Sequence, residues 1–347
     1  MPKSISELDA NFAKPDEHGV AHWEDVHQLA CEITGLHPGT FCRLPLELLP
    51  CLPQPVQELA YHTAGGMIRF AAKAGRYGYR YELLNGEDMH HMPRTGSSGL
   101  DVYWGDGCDM HFLRSTQPGH GETNISGEFT LDHDATVTMY LPLYNGIRQL
   151  WLGFDDGNAP MLPPPRRYKN PIVFYGSSIT QGGCASRPAN SYAAMVCRML
   201  DAPQHVLGFS GNGKGEIEIA QYIAELPMTA FVMDYDHNAP DAEHLKRTHL
   251  PFLKAILAKQ PNLPILMLSK PDFRNGHEDE NAARRDVVIH SYEHLRAQGV
   301  NCAFIDGETF FDGPFYDSCT VDGCHPNDLG FYRMAMKIEP QLRKLLG

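Results

Sequence analysis

A β-rich unit followed by an α/β unit built on a parallel sheet is the fold class that the sequence predicts, on three observations. Between about residues 55 and 155 apolar residues alternate with polar ones in short runs, the period-two pattern of strands with one buried face. A proline run, Pro163-Pro164-Pro165, then interrupts the chain. Beyond it, short uninterrupted apolar runs alternate with helical patterns, as strands buried on both faces alternate with the helices that cover them.

Each element follows in order. The first 50 residues show neither rhythm and read as a helix and an extended arm that packs on one of the units. The alternating runs fall at 67–71, 79–84, 100–104, 128–131, 137–141 and 149–154, separated by turn-rich pieces such as Asn85-Gly86-Glu87-Asp88 and Asp155-Asp156-Gly157-Asn158. Short strands between such turns specify a β-sandwich or jelly roll. Proline lacks a ladder donor and favours extended backbone, so Pro163 to Arg167 reads as a linker. This puts the N-terminal arm and β-sandwich at 1–165 and the α/β unit at 166–347. In the second unit, apolar runs at 172–175, 206–209, 230–234, 264–268 and 302–305 predict five parallel strands. Helices are predicted over 192–200, 216–226, 242–258 and 282–298, with a last one carrying Met334, Ile338, Leu342 and Leu345. The result is a five-stranded parallel sheet with helices on both faces, and no internal repeat.

Composition narrows the function classes. With 42% hydrophobic and 20% charged residues the chain is of ordinary globular type, able to bury a core. Its net charge of -13, from 29 basic against 42 acidic residues, excludes the clustered positive charge that nucleic acids or anionic membranes require. The partner is therefore expected to be a small, neutral or weakly charged molecule. Nine cysteines, an odd number without a close pair, do not form a disulfide framework. Reduced thiols, the absence of an apolar core in Met1 to Glu7 and the lack of an 18-residue apolar stretch point to a cytoplasmic protein. No pattern calls for a cofactor, and the β unit offers surface for self-association into a homo-oligomer.

In a parallel α/β sheet, ligands bind beyond the carboxyl ends of the strands. After the first strand comes Tyr175-Gly176-Ser177-Ser178-Ile179-Thr180-Gln181-Gly182-Gly183, a tight turn feeding a helix. A hydroxyl there projects above the sheet near backbone N–H groups at the helix start. After the second strand, Ser210-Gly211-Asn212-Gly213 lets the backbone approach a ligand unobstructed. Asn238, past the third strand, carries a neutral amide donor suited to a developing oxyanion. After the fifth, Asp322 and His325 stand three residues apart, close enough for the acid to orient the ring while its other nitrogen faces a nucleophile. A Gly-Ser-Ser turn alone is more often an ordinary connection. Four complementary roles on one sheet rim are not readily placed by chance.

These blocks resemble those of the SGNH or GDSL-type hydrolases: Gly-Asp-Ser-Ile/Leu, a glycine, Gly-x-Asn-Asp and Asp-x-x-His. The resemblance implies a flavodoxin-like SGNH fold, with Ser178 as nucleophile, His325 and Asp322 as its dyad, and Ser178, Gly211 and Asn238 as the oxyanion hole. It extends to the β unit, where His91 to Tyr103, ending in Gly99-Leu100-Asp101-Val102-Tyr103, is similar to the Gly-x-Asp-Leu-Tyr signature of one branch of these enzymes. Members of that branch act largely on acetyl or other short acyl groups carried by sugars, so the resemblance implies a short-chain esterase acting on an acylated saccharide. Two departures stand out. Ser177 replaces the aspartate of Gly-Asp-Ser, so two adjacent hydroxyls compete, with position favouring Ser178. Asp236-His237-Asn238-Ala239 replaces Gly-x-Asn-Asp and leaves His237 as a rival base.

Other readings compete with these. A non-catalytic carbohydrate-binding protein on an old hydrolase fold would explain the altered Ser177 and Ala239, and a lipase or thioesterase for long acyl chains would need an apolar tunnel that the sequence does not reveal. Asp88, His90 and His91 form the densest acid–imidazole cluster, but adjacent strand residues point to opposite faces, so no metal site is expected. Cys324 reads as a filler in its turn, Arg187 and Asn190 as solvated loop residues, and Asp101, Tyr103 and Trp104 as strand residues whose role is packing.

Overall fold

The computed structural model describes residues 3, 5–9, 19–271 and 277–347. Its N-terminal half opens with a one-turn helix α1 (Ile5–Leu8) and strands β1 (His22–Asp25) and β2 (Glu32–Thr34), followed by α2 (Gln54–Leu59). Then come β3 (Met67–Ala72), β4 (Gly75–Leu83), the short α3 (Arg94–Ser97), β5 (Asp101–Trp104), β6 (His111–Ser115), β7 (Asn124–Leu131), β8 (Ala135–Tyr140) and β9 (Ile147–Phe154). They form two antiparallel sheets, ordered β1-β9-β4-β7 and β2-β3-β8-β5-β6. One core lies between the sheets: Tyr77, Tyr79, Tyr81, Leu150 and Leu152 from the first meet Ile68, Phe70, Val102, Val137 and Met139 from the second. Every second residue of β7 is buried, as its alternation requires.

The strands at 22–25, 32–34 and 111–115 were not evident from sequence. They are short, half-exposed segments that lie at the edges of their sheets or close to them, so they carry too little apolar alternation to stand out. The arm does pack on a neighbouring unit. Cys42, Leu44, Leu49, Leu52, Val56 and Ala60 join the core of the α/β half. Arg43, fully buried, donates through Nη1 to the carbonyls of Val206 at 2.9 Å and Gly208 at 2.7 Å, on the edge strand of the parallel sheet. This arrangement covers a strand edge that would otherwise be left unpaired.

The second half runs β10 (Ile172–Gly176), α4 (Ser178–Gln181), α5 (Tyr192–Leu200), β11 (Gln204–Gly208), α6 (Ile217–Glu225), β12 (Ala230–Asp234), α7 (Ala242–Lys259), β13 (Ile265–Leu268), α8 (Glu278–Ala297), β14 (Cys302–Ile305) and α9 (Asp328–Leu346). The five strands are parallel in the order β11-β10-β12-β13-β14. Alternation along β10 sends Ile172 and Phe174 to the face covered by α5 and α9, and Val173 and Tyr175 to the face covered by α6, α7 and α8. The chain leaves β10 toward β11 and returns past it to β12, so a crevice opens at the carboxyl ends of these central strands. None of the described helices is long and apolar enough to cross a membrane.

Candidate active site

Ser178 begins α4, a single turn held at both ends. The Ser177 hydroxyl accepts from Ile179 N–H at 3.1 Å, capping the turn, and Gly182 ends it in a left-handed conformation. Ser177 is therefore engaged below the surface, fully buried, whereas Ser178 stays 6% exposed at the rim. The turn sits tightly on β11: a Cβ built on Gly208 would lie 2.3 Å from Gln181 N. Gln181 braces the next loop, accepting from Ser210 N–H at 3.0 Å and donating to Leu143 O at 3.0 Å and His62 Nδ1 at 3.1 Å. Burial pushes the His62 imidazole down to about 4, so its ring nitrogen is available as an acceptor. Tyr144 OH donates to Ser178 O at 3.0 Å. The β half thus contributes His62, Leu143 and Tyr144 to the support of this turn.

On the opposite side the stretch from Val321 to Gly330 folds back on itself. Asp322 Oδ1 accepts from the N–H groups of Cys324 at 2.9 Å and His325 at 2.7 Å, and Asp322 Oδ2 lies 2.6 Å from His325 Nδ1. His325 Nε2 lies 3.0 Å from Ser178 Oγ. Partial burial works to raise the Asp322 carboxyl, but the hydrogen bonds from His325 and Cys324 outweigh it and hold the group below its usual range. An ionised acid thus faces the imidazole edge away from Ser178. Asn327 caps α9 through Leu329 and Gly330 N–H, and Asp328 accepts from Ser186 N–H at 2.8 Å and Asn190 Nδ2 at 2.9 Å. Each polar residue of this block therefore has a geometric task.

Gly211 and Asn238 follow β11 and β12, the neighbours of β10. Gly211 has φ +66, a left-handed conformation that glycine adopts freely. Among the described residues the N–H groups of Ser178 and Gly211 have no backbone acceptor outside regular elements. Asn238 Nδ2 donates to Phe209 O at 3.1 Å, which fixes the amide and leaves its second hydrogen uncommitted.

His237 is not in hydrogen-bonding contact with Ser178; its Nδ1 lies 3.2 Å from Asp236 Oδ1 and its Nε2 is buried without a partner among the described residues. Burial raises the Cys324 thiol and so disfavours a thiolate there. Arg187 reaches Tyr103 OH at 3.3 Å and the buried Asp101 at 3.7 Å, joining the two halves of the molecule. Asp88 pairs with Arg94 and His120. His91 instead faces His325, with ring centroids 5.7 Å apart. Gln181 and Tyr144 were not singled out for the site from sequence. Gln181 alone had a local signal, a polar residue within the nucleophile turn. A cleft of about 450 Å³ borders the Asp322–Cys324 turn and is lined by His237, Lys270, Asn281 and Arg284 among others.

This fold and these blocks define the class: the chain belongs to the GDSL-like lipase/acylhydrolase family, whose model matches residues 169–343. Residues 21–159 match the GxDLY domain, described as the N-terminus of esterases of the SGNH-hydrolase type. Among solved structures, a Bacteroides ovatus protein described as a GDSL-like lipase is 27% identical, with a TM-score of 0.84 over 94% of this chain and 98% of that one. The salicylyl-acyltransferase SsfX3 of a tetracycline biosynthetic pathway is 18% identical, with a TM-score of 0.77 over 93% and 97%. A family two carbohydrate esterase from Clostridium thermocellum is 14% identical, with a TM-score of 0.60 over 82% and 93%. The latter two share the fold. No curated protein matches the chain in sequence.

Proposed function

We propose that the protein is a serine esterase that hydrolyses short acyl esters, acetyl foremost, carried by carbohydrates. The observation that carries this reading is the continuous contact from Asp322 through His325 to Ser178, at 2.6 and 3.0 Å. A free serine hydroxyl is a weak nucleophile at neutral pH, so it needs a base within hydrogen-bond reach. His325 Nε2 takes the Ser178 proton as Oγ bonds to the ester carbonyl carbon. The tetrahedral intermediate then expels the alcohol, which leaves with that proton. Water attacks the acyl-enzyme with the same assistance and releases the acid. The N–H groups of Ser178 and Gly211 and the Asn238 amide stabilise charge that appears on the carbonyl oxygen only in the transition state. The short acyl group is supported by the resemblance of the β half to the branch whose members act on short acyl groups. The sugar is supported by the resemblance of the β half and by the carbohydrate esterase that shares the fold.

Kinetics of two single variants test the reading. Ser178→Ala should lose about 10⁶ in turnover of an aryl acetate. Ser177→Ala should keep at least roughly a tenth of it, because it removes only a helix cap. A fluorophosphonate should label Ser178, which a binding protein without an activated hydroxyl would not allow. Equal activity of Ser178→Ala and the parent chain refutes the mechanism. A panel of acyl lengths on acetylated and longer-chain saccharides tests the substrate, and preference for long chains overturns it.

A further inference from the structure

His91, Cys184 and His325 form a second constellation that shares one residue with the proposed triad. Their ligand atoms all lie within 4.8 Å of one another. The three residues come from separate segments: the turn bridged by Met89 and Met92 in the β half, the loop after α4, and the turn before α9. Cys184 is a free thiol, 3% exposed. The Nδ1 of His91 is buried and has no hydrogen-bond partner among the described residues, a state that costs stability unless something binds there.

We propose that His91, Cys184 and His325 bind a borderline-soft divalent cation, zinc foremost, which competes with Ser178 for His325 and thereby blocks the hydrolytic site. Two imidazoles and a thiolate are the nitrogen and sulfur donors that zinc takes, whereas magnesium and calcium demand oxygen. His325 Nδ1 is committed to Asp322, so Nε2 is the atom left for the ion, and the carboxylate behind the ring supplies the usual outer support of a zinc-bound histidine. Bonds of about 2.0–2.3 Å set ligand separations of roughly 3.4–3.8 Å. Ligand atoms at most 4.8 Å apart therefore need to draw together by no more than about 1.4 Å. Burial raises the Cys184 thiol as it does that of Cys324, so the ion has to displace the proton, which passes to solvent, and no redox change is involved. Three protein ligands leave the fourth tetrahedral position to water. Loss of activity on binding rests on the role given above to His325; binding itself does not.

The test titrates the metal-free protein with zinc by calorimetry and with cobalt by absorbance, and follows aryl acetate hydrolysis in parallel. A thiolate-to-cobalt charge-transfer band should appear in the parent chain and vanish in Cys184→Ser. Saturating zinc should lower turnover at least roughly tenfold, reversibly with a chelator. Cys184→Ser and His91→Gln should hydrolyse the ester in zinc-free buffer while their zinc affinity falls by about tenfold or more. Absence of a Cys184-dependent band, or equal zinc affinity in the parent and both variants, overturns the proposal. A metal-free chain that hydrolyses nothing yet forms the band refutes the esterase and leaves the metal site standing.

Discussion

At the level of single residues, the departures from the family blocks have local physical explanations. Ser177 replaces an aspartate yet keeps its capping geometry, because a hydroxyl oxygen accepts from Ile179 N–H as a carboxylate would. Asn238 lacks the glycine and the trailing acid of its block, but Phe209 O holds one amide hydrogen and thereby aims the other. On the proposed mechanism the amide acts where charge develops, so Asn238→Ala should lower turnover of an aryl acetate by about 10² to 10³, mostly in kcat. An unchanged kcat would remove Asn238 from the oxyanion hole. His237, which sequence alone left as a rival base, is turned toward Asp236, whereas His325 is the imidazole in contact with Ser178.

At the level of elements, the site depends on how closely α4 rides on β11 and β10. Gly208 leaves only 2.3 Å between a notional Cβ and Gln181 N, so a methyl group there must lift the turn that carries Ser178. Gly208→Ala should destabilise the fold by about 1–3 kcal/mol in urea unfolding. It should also reduce turnover about 10²-fold, because displacement by about 1 Å spoils alignment with His325. A variant that loses stability while retaining full activity would show that α4 tolerates the shift. The parallel strands and the helices α5, α6 and α7 were legible to within two or three residues, since runs buried on both faces and 3.6-residue periodicity are strong signals. The edge strands β1, β2 and β6 were not, because none of their residues is buried.

Across the whole molecule, buried imidazoles couple stability to acid. Burial pushes His62, His205 and His249 down to about 4. In the unfolded chain they protonate near about 6.5, so between the two values the unfolded state binds more protons and acid favours unfolding. The stabilisation is complete above about 6.5 and is lost as pH falls toward 4. Asp234, pushed up to about 6 by burial, opposes this because it keeps a proton in the fold that the unfolded chain releases. Burial raises Asp101 and Glu216 as well, and they act in the same direction as Asp234, yet only the three imidazoles take up protons in the unfolded chain near about 6.5, inside the interval compared, so the histidines dominate there. The melting temperature should therefore be lower at about pH 5 than at about pH 7.5 in calorimetry. A melting temperature that holds or rises toward pH 5 would contradict this balance.

The same scale separates what the sequence determined from what the tertiary structure decided. Periodicity and turn chemistry are properties of neighbouring residues, so the two fold classes, the order of the parallel strands along the chain and the blocks at Ser178, Gly211, Asn238 and Asp322 to His325 were readable directly. Position within the turn favoured Ser178 over Ser177, and the folded chain adds what no local pattern holds: burial of Ser177 against Ile179 and contact of Ser178 with a ring 147 residues away. Arg43 on the edge of β11, Gln181 on Ser210 and His91 over His325 likewise became visible only in the folded chain. Packing pairs residues by proximity in space, and a linear pattern carries no term for distances between segments that the sheet brings together.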